Sequence, residues 1–490
     1  MRMRLFSRTL TLATGGALLA DGSLVGALLG GTLDYVVYAV VALGVLIFIH
    51  ELGHFLVAKA MGVGVERFSL GFGPRIVSFR GGETEYCISI VPLGGYVKMT
   101  GEEAHGEDAI HPATEEPPAD PAKSFAAKPL WSRALIVFAG PGMNFVLAAA
   151  IFAVMFIAIG VPVIDPTIGR MTPDSAAAQA GLRLRDQVVA IDGKTVEHWG
   201  EIEEAVTRAG GRSLTFTVLR NGARQDVAVA PRKVPVKTPF NEPAEVWSIG
   251  ARPYTAPVVG EVRPGMPAAA AGFQARGRIV ALNGQPIETW EELAEGISTR
   301  ADQPLTLRIE RAGAPMDIPV TPKEEVDRDA LGNETKVGRI GIAPATTESY
   351  KRYGPATAVL RGFVHTWDVT AITAVSMWKL VTGKIPASNL GGPIQIGIVV
   401  GQAAQQGLAR YAELVAAISI NLAILNLLPV PMLDGGHLLF FAIEAVLGRP
   451  LSLRKREIAQ QVGLALLLLL MGFALYNDVW RVPAIGKLLR

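Results

Sequence analysis

The chain has 490 residues, of which 50% are hydrophobic and only 18% are charged, with a formal net charge of +2. A soluble protein usually carries about 25% charged residues, so the apolar excess indicates membrane-spanning segments. The near-neutral charge excludes the strongly basic surface that is typical of nucleic-acid-binding proteins. A single cysteine, Cys87, excludes a framework of intramolecular disulfides.

The first 33 residues form an N-terminal extension. Arg2, Arg4 and Arg8 precede a weakly apolar stretch, which is a layout similar to that of a signal peptide. That stretch is nevertheless rich in glycine and contains Asp21. Residues 1–33 are therefore predicted to be a poorly structured extension, or the product of a start codon assigned too early. A removable signal is the alternative.

Residues 34–62 predict the first transmembrane helix. Positions 35–49 carry no charge, and a helix over residues 35–58 reaches about 36 Å at 1.5 Å per residue, enough to cross the hydrocarbon core. The character then changes in residues 63–130. Alternating apolar and polar residues with glycine turns predict a β-rich segment, and residues 101–122 predict a solvated acidic loop.

Residues 131–163 predict the second transmembrane helix, with Asn144 near its start. The section that follows is polar and repeats itself with a shift of 91 residues, the separation of Pro173 and Pro264. The same shift superposes Gly181 on Gly272, Gly193 on Gly284, Trp199 on Trp290 and Gly222 on Gly313. Two consecutive copies of a small α+β domain, in residues 164–234 and 255–323, are the natural explanation.

The last third of the chain returns to helical patterns. After a polar linker or edge at residues 322–340, residues 355–383 predict an amphipathic helix at the membrane interface; packing on the second repeat is the alternative. Residues 408–448, interrupted by prolines, and 457–478 predict the third and fourth transmembrane helices. The basic loop between them faces the cytoplasm by the positive-inside rule, so the repeats lie on the opposite side.

The motif that carries chemistry lies in the first predicted span. His50, Glu51 and His54 have the form H-E-x-x-H, and residues four apart on a helix share one face, so both imidazoles can bind one metal ion. Neutral imidazole suits Zn²⁺, and Glu51 can take a proton from water that the metal activates. Ionisable residues inside a span are costly and are usually functional, which favours a site over histidines packed inside a bundle.

A catalytic zinc site needs a third protein ligand, and Asp434 is the candidate. No other acidic residue lies between Glu413 and Glu444. Pro429 and Pro431 would break the helix just before the aspartate and turn its carboxylate inward. The alternatives are that Asp434 caps a helix or that His437 is the ligand, although His437 is expected to be near the metal or merely polar.

These motifs together resemble the site-2 protease family of intramembrane metalloproteases, in its bacterial branch that regulates sigma-E. The resemblance covers most of the chain from residue 35 to about residue 480. It rests on the H-E-x-x-H motif, on the tandem repeats and on the segment Asn426-Leu427-Leu428-Pro429-Val430-Pro431-Met432-Leu433-Asp434-Gly435. The segments 71–74, 94–99 and 390–394 are also similar to the family. The N-terminal extension departs from it.

The resemblance implies a fold, a cofactor and residue roles. The fold would be an α-helical membrane core of four transmembrane helices with a membrane-associated β segment, plus two tandem PDZ-like α+β domains. His50, His54 and Asp434 would hold one Zn²⁺ per chain, and Glu51 would be the base. The residues expected to bind substrate are Asn421, Asn426, Gly71, Phe72, Gly73 and Pro74.

The resemblance also implies substrates and a location. The partners would be membrane lipid and transmembrane proteins, such as anti-sigma factors already cut once or signal-peptide remnants, and no nucleic acid. The protein would be a multi-pass protein of the bacterial inner membrane, with the active site near the cytoplasmic face and periplasmic PDZ-like domains that filter substrates. A PDZ scaffold with an inactive anchor is the main alternative, and a metal transporter is disfavoured because the membrane region shows no repeat.

Overall fold

The computed structural model describes residues 32–101, 120–238, 242–311, 313–328, 334–345 and 349–481. The predicted N-terminal extension, except for its last two residues, and nearly all of the acidic loop lie outside the described residues. The chain divides into two compact units. One comprises residues 160–351 with 384–386, and the other comprises the helical segments before and after them.

The helical unit begins with helix α1 (Thr32–Ala60), which contains the H-E-x-x-H motif. A long antiparallel hairpin follows, formed by β1 (Val65–Gly81) and β2 (Thr84–Met99). Its register shifts several times, including on both sides of Phe72, because the strands are interrupted by glycines with positive φ. Helix α2 (Leu130–Ala158) completes this half of the unit and has Pro141 in its interior.

The β-rich unit contains two copies of one arrangement, as the 91-residue shift predicts. The first copy comprises β4 (Ile168–Met171), α3 (Ala176–Gln179), β5 (Gln187–Ile191), β6 (Lys194–Thr195), α4 (Trp199–Ala209), β7 (Leu214–Arg220) and β8 (Ala223–Val229), after a short strand β3 (Val161–Val163). The four-stranded sheet has the order β6-β5-β7-β8. Phe216 and Ile202 lie in its buried core, packed with Trp199.

Three strands lead to the second copy: β9 (Arg232–Lys237), β10 (Pro243–Ser248) and β11 (Ala251–Pro253). The second copy comprises β12 (Val259–Val262), α5 (Pro267–Ala270), β13 (Arg278–Leu282), β14 (Gln285–Pro286), α6 (Trp290–Ser298), β15 (Leu305–Arg311) and β16 (Ala314–Val320). Its sheet has the equivalent order β14-β13-β15-β16. The two copies therefore share connectivity and strand order as well as sequence pattern.

Each copy extends beyond the boundary predicted from the sequence. Where a linker or edge was expected, β17 (Lys323–Arg328) and β18 (Glu334–Arg339) form a hairpin, followed by β19 (Ile342–Pro344) and β20 (Ser349–Lys351). Strand β19 pairs with β12, as β11 pairs with β4 in the first copy. A strand that pairs with a partner some eighty residues earlier in the chain leaves no local sequence signal. The predicted copies therefore end too early.

The helical unit resumes with α7 (Pro355–Val381), α8 (Pro393–Gln405), α9 (Leu408–Asn426), α10 (Asp434–Leu447) and α11 (Leu453–Arg481). The predicted third span is thus two helices, because Pro429 and Pro431 interrupt the backbone hydrogen bonding between them. Among the described residues, four helices are long and apolar enough to cross a membrane, namely α1, α2, α9 and α11. This agrees with the four predicted spans.

Helix α7 has one packed face and one exposed face. Ala358, Gly362 and Thr366 are buried, and the backbone of α7 approaches that of α2 closely at Gly362. Trp367 and Trp378 are about 70% exposed. The two faces fit the amphipathic helix that the sequence predicts, and the partner of the packed face is α2.

Candidate active site

The two histidines of the motif lie one turn apart on α1 and are buried, each with 7% of its surface exposed. Their Nε2 atoms are 3.3 Å apart. The Nδ1 atom of His54 lies 2.9 Å from the main-chain oxygen of Ile136 on α2, so this nitrogen donates its proton to the carbonyl. In the neutral imidazole, Nε2 of His54 is then unprotonated, and its lone pair is available to bind a metal.

Asp434 completes a cluster of three with these histidines. Its Oδ2 is 3.1 Å from His50 Nε2, and its Oδ1 is 3.5 Å from His54 Nε2. Leu433, not Asp434, occupies the N-cap position of α10, so the carboxylate is not used as a helix cap. His437 is outside the cluster, and its ring packs near Phe440.

The geometry of the cluster fits a zinc ion. Ligand atoms at 2.0–2.1 Å in tetrahedral positions around zinc are separated by about 3.3 Å. The two imidazole Nε2 atoms are 3.3 Å apart, and each lies at 3.1–3.5 Å from one oxygen of the Asp434 carboxylate, His50 from Oδ2 and His54 from Oδ1, so the spacing is close to that value. Three lone-pair donors that converge in a buried place repel one another unless a cation lies between them, so the chemistry of the donors fits as well as their spacing.

Helix α2 approaches the histidines more closely than any side chain would allow. A Cβ atom at Gly140 would lie 2.2 Å from His54 Nε2 and 2.9 Å from His50 Cε1. Only glycine leaves room for both imidazoles at this crossing. In the sequence, the run Gly140-Pro141-Gly142 inside an apolar span is itself an indication of a close approach.

Two asparagine side chains surround His50. The Nδ2 atom of Asn144, on α2, is 3.3 Å from His50 Nδ1. The Nδ2 atom of Asn426, the last residue of α9, is 3.5 Å from His50 Nδ1 and 3.4 Å from His50 Nε2. Asn421 is exposed on α9, more than a turn before Asn426. Of the two asparagines predicted to bind substrate, only Asn426 is thus brought to the metal cluster.

The hairpin lies beside Glu51. A Cβ atom at Gly95 of β2 would be 3.0 Å from Glu51 Cγ and 2.9 Å from the main-chain oxygen of Ser69, so strand backbone packs directly on the glutamate. Phe72, in the segment predicted to engage substrate, stacks on Tyr96 with ring centroids 6.3 Å apart. Gly71 to Pro74 therefore lie on the same hairpin that contacts Glu51.

Of the remaining histidines, the two that the structure describes, His198 and His365, are not part of the cluster. His198 forms an ion-pair contact with Glu201 at 3.1 Å. His365 packs edge-on against Phe152, with centroids 4.4 Å apart. His105 and His111 lie outside the described residues.

Residues 38–470 match Peptidase family M50. The chain belongs to this family. It is similar to the Regulator of sigma-E protease RseP of Salmonella typhimurium, with 39% identity over 90% of this chain and 98% of the relative. It is also similar to the protein of the same name from Escherichia coli, with 38% identity, and to a putative zinc metalloprotease of Vibrio cholerae, with 35%, both over 90% of this chain and 98% of the relative.

Among solved structures, the chain is similar to a PDZ domain of an SdrC-like protein from Listeria monocytogenes. It covers 19% of this chain and 90% of its own length, with 17% identity and a TM-score of 0.15. A score this low says nothing about the fold of the repeats.

Membership of family M50 establishes the class of reaction. This M50 peptidase is a zinc-dependent metalloprotease of the site-2 type, embedded in a membrane, which hydrolyses peptide bonds of proteins within or beside the bilayer. The scaffold alternative is therefore not supported. The sequence led to no role for Gly140 or Asn144, both on α2. For Asn144, a polar side chain in an apolar span was an available signal.

Proposed function

We propose that His50, His54 and Asp434 are the zinc ligands and that Glu51 is the general base. The observation that carries this proposal is the convergence of the three side chains: the two Nε2 atoms are 3.3 Å apart, and the Asp434 carboxylate has one oxygen within 3.5 Å of each. Zinc bound there would polarise the scissile carbonyl and lower the pKa of water toward about 7. Glu51 would take the proton from the attacking water and deliver it to the nitrogen of the leaving amine.

A transmembrane substrate must be unwound before it is cut, because a helix hides its carbonyls in internal hydrogen bonds. Unwound backbone in lipid is costly unless it finds partners. We propose that the hairpin of β1 and β2 supplies them by strand addition, with Gly71, Phe72, Gly73 and Pro74 in contact with the substrate. Asn426, beside His50, would hold the substrate backbone at the metal. Asn421 would bind it farther along α9.

The repeats are proposed to be tandem PDZ-like domains that filter substrates. Two copies of one α+β arrangement support this, since PDZ domains bind extended peptide ends by strand addition. The relatives are named regulators of sigma-E. Accordingly, the proposed substrates are anti-sigma factors after a first cut, or signal-peptide remnants. The basic segment 449–456 supports a bacterial inner-membrane location, with the active site near the cytoplasmic face and the repeats in the periplasm.

The test compares wild type with Glu51→Gln, both purified in detergent. Wild type is expected to hold about one zinc per chain and to cut a model transmembrane substrate. Glu51→Gln should retain the zinc, because the ligands are intact, but lose about 10²–10⁴-fold in cleavage rate, as expected for removal of a general base. Zinc content is measured by atomic emission and cleavage by gel.

Two results would count against the assignment. Normal cleavage by Glu51→Gln would exclude the glutamate as the base. A folded wild-type protein that holds no zinc, or whose zinc survives His50→Ala and Asp434→Ala, would exclude the proposed ligands.

A further inference from the structure

Asn144 is a completely buried polar side chain next to the metal cluster. It lies on α2 one turn after Gly140, and its exposed surface is 0%. Its Nδ2 atom faces His50 Nδ1 at 3.3 Å, whereas its Oδ1 atom has no hydrogen-bond partner within the described part of the chain. The hydroxyl of Ser419 donates to the main-chain oxygen of Asn144 at 2.8 Å, which ties this part of α2 to α9.

The need for an acceptor at His50 follows from its role. A neutral histidine that binds a metal through Nε2 carries its proton on Nδ1, and that N–H normally donates to a neighbouring group. His54 has such a partner in the main-chain oxygen of Ile136, at 2.9 Å. At His50, the atom that faces Nδ1 is the amide nitrogen of Asn144, Nδ2. Two N–H groups would therefore point at each other.

A half-turn of the Asn144 amide about the Cβ–Cγ bond resolves this conflict. The rotation exchanges Oδ1 and Nδ2 at nearly the same positions, so Oδ1 then lies within hydrogen-bonding distance of His50 Nδ1. The rotation replaces a contact between two donors by a hydrogen bond. The amide atom that points away from His50 has no partner among the described residues in either orientation. We infer that Asn144 accepts this hydrogen bond and thereby fixes the tautomer and ring orientation of His50, with Nε2 directed at the metal.

Asn426 is less suited to this role. Its Nδ2 is almost equally distant from the two nitrogens of His50, at 3.5 and 3.4 Å, so the amide lies beside the ring and is not aligned with Nδ1. It is also only partly buried. Asn144 is thus the positioning residue, and both histidines are oriented by the same helix, His54 through the carbonyl of Ile136 and His50 through a side chain eight residues later. The inference rests on the proposed zinc ligands.

The experiment measures the zinc affinity of the full chain in detergent by competition with a chelator, together with the midpoint of thermal unfolding. Asn144→Asp keeps an acceptor of the same shape, and Asn144→Leu has a similar shape but no acceptor. We expect Asn144→Leu to weaken zinc binding about 10–100-fold, the usual effect of losing such a partner. Asn144→Asp should stay within a few-fold of wild type. Thr370→Val, which removes a hydroxyl bond within α7, is the control and should not change zinc affinity.

The outcomes separate this inference from the proposed function. If wild type binds zinc and His50→Ala does not, the ligands stand; equal affinity in wild type and folded Asn144→Leu then overturns the role of Asn144. An Asn144→Asp protein that is folded but as weak as Asn144→Leu also overturns it. A measurement that needs no variant is histidine ¹⁵N NMR of the zinc-loaded protein. Nδ1 of His50 should be protonated, and zinc bound at Nδ1 would contradict the inference.

Discussion

At the scale of single residues, the metal cluster depends on how closely three side chains approach one another. The types of the residues alone do not determine these distances. The Nε2 atoms of His50 and His54 are 3.3 Å apart, and each lies within 3.5 Å of one oxygen of the Asp434 carboxylate. Gly140 makes this possible because a methyl group there would occupy the space of the His54 imidazole. The protein therefore uses the absence of a side chain on one helix to bury two side chains of another.

Gly140→Ala is expected to disrupt the metal cluster more than the fold. The added Cβ would lie 2.2 Å from His54 Nε2, so the imidazole must move away from the other ligands. Zinc affinity and cleavage should both fall at least about 10-fold, while alanine itself favours the helix. Zinc affinity is measured by chelator competition, and helix content by circular dichroism.

Gly142→Ala is the matched control, because its Cβ would meet only Phe138, at an ordinary contact distance of 3.5 Å. It lies in the same helix two residues later and should leave zinc binding unchanged. Equal effects of the two substitutions would mean that the crossing of α1 and α2 is not as close as the structure has it.

At the scale of elements, α10 is attached to α2 by an ion pair that is largely, though not completely, buried. Arg133 donates two hydrogen bonds to Glu444, at 2.5 and 3.3 Å, and its guanidinium lies over the ring of Phe441, 5.1 Å from the centroid. Both charged side chains are less than 15% exposed. Since Asp434 begins α10, this pair holds the helix that carries the proposed third ligand.

Removing one partner of this pair should destabilise the protein strongly, because the other charge would remain buried and unpaired. We expect Glu444→Ala to lower the free energy of unfolding by about 3 kcal/mol. Glu413→Ala, which breaks the more exposed pair with Arg410, should cost less than about 1 kcal/mol. Unfolding in a denaturing detergent series measures both. Similar losses in the two variants would contradict a special role for Arg133.

The hairpin is anchored to its surroundings by ion pairs at its turn. Glu83 accepts hydrogen bonds from Lys59, at the end of α1, and from Lys123, at 2.6 and 2.9 Å. Hydrogen bonding by Lys59 first and then by Lys123 lowers the pKa of Glu83 from 4.5 to about 2. A carboxyl group whose pKa is lowered by folding stabilises the folded state above its unfolded pKa, near 4.5, and loses this contribution as pH falls toward 2.

The anchoring of the hairpin should accordingly weaken in acid. Hydrogen exchange of the β1–β2 amides is expected to accelerate in wild type as pH falls from about 4.5 toward 2, after correction for the intrinsic rate. Glu83→Gln should show weaker protection already at neutral pH and lose this additional pH dependence. The same acid response in both proteins would show that Glu83 is not responsible. Glu83 is over 40% exposed, so the effect will be local and modest.

At the scale of the whole molecule, the chain combines a helical unit that contains the chemistry with a β-rich unit built from one arrangement used twice. The family match spans both, from residue 38 to residue 470. The cluster of possible metal ligands found among the described residues consists of His50, His54 and Asp434, all in the helical unit, so the proposed role of the repeats concerns which substrates are cut and not how they are cut.

Removing the repeats should therefore broaden the range of substrates without abolishing hydrolysis. A deletion of residues 165–322 would remove β12 and leave its partner β19 behind, so a cleaner deletion removes residues 165–347. We expect this variant to cut a substrate that has not been shortened, at a rate that wild type reaches only with the shortened form. Both substrates are compared by gel. A folded variant that retains zinc and still rejects the longer substrate would argue against a filter.

The sequence alone determined the properties that depend on local pattern. The apolar runs predicted the four candidate spans, because burial in lipid demands some twenty apolar residues in a row. The H-E-x-x-H spacing predicted two ligands on one face of α1, because a helix repeats every 3.6 residues. Asp434 was identified as the candidate for the third ligand because an isolated charge in an apolar segment is costly and is usually functional.

Only the tertiary structure decided what depends on contacts between distant segments. Gly140 and Asn144 are ordinary residues of an apolar helix until α1 packs against α2. This packing places the His54 imidazole where a side chain of residue 140 would lie, and it brings His50 Nδ1 to 3.3 Å from Asn144 Nδ2. The separation of Asn421 from the metal cluster, and the late strands that close each repeat, were likewise decided by packing. Such contacts join residues that are tens to hundreds of positions apart in the chain. A pattern of neighbouring residues therefore cannot predict them.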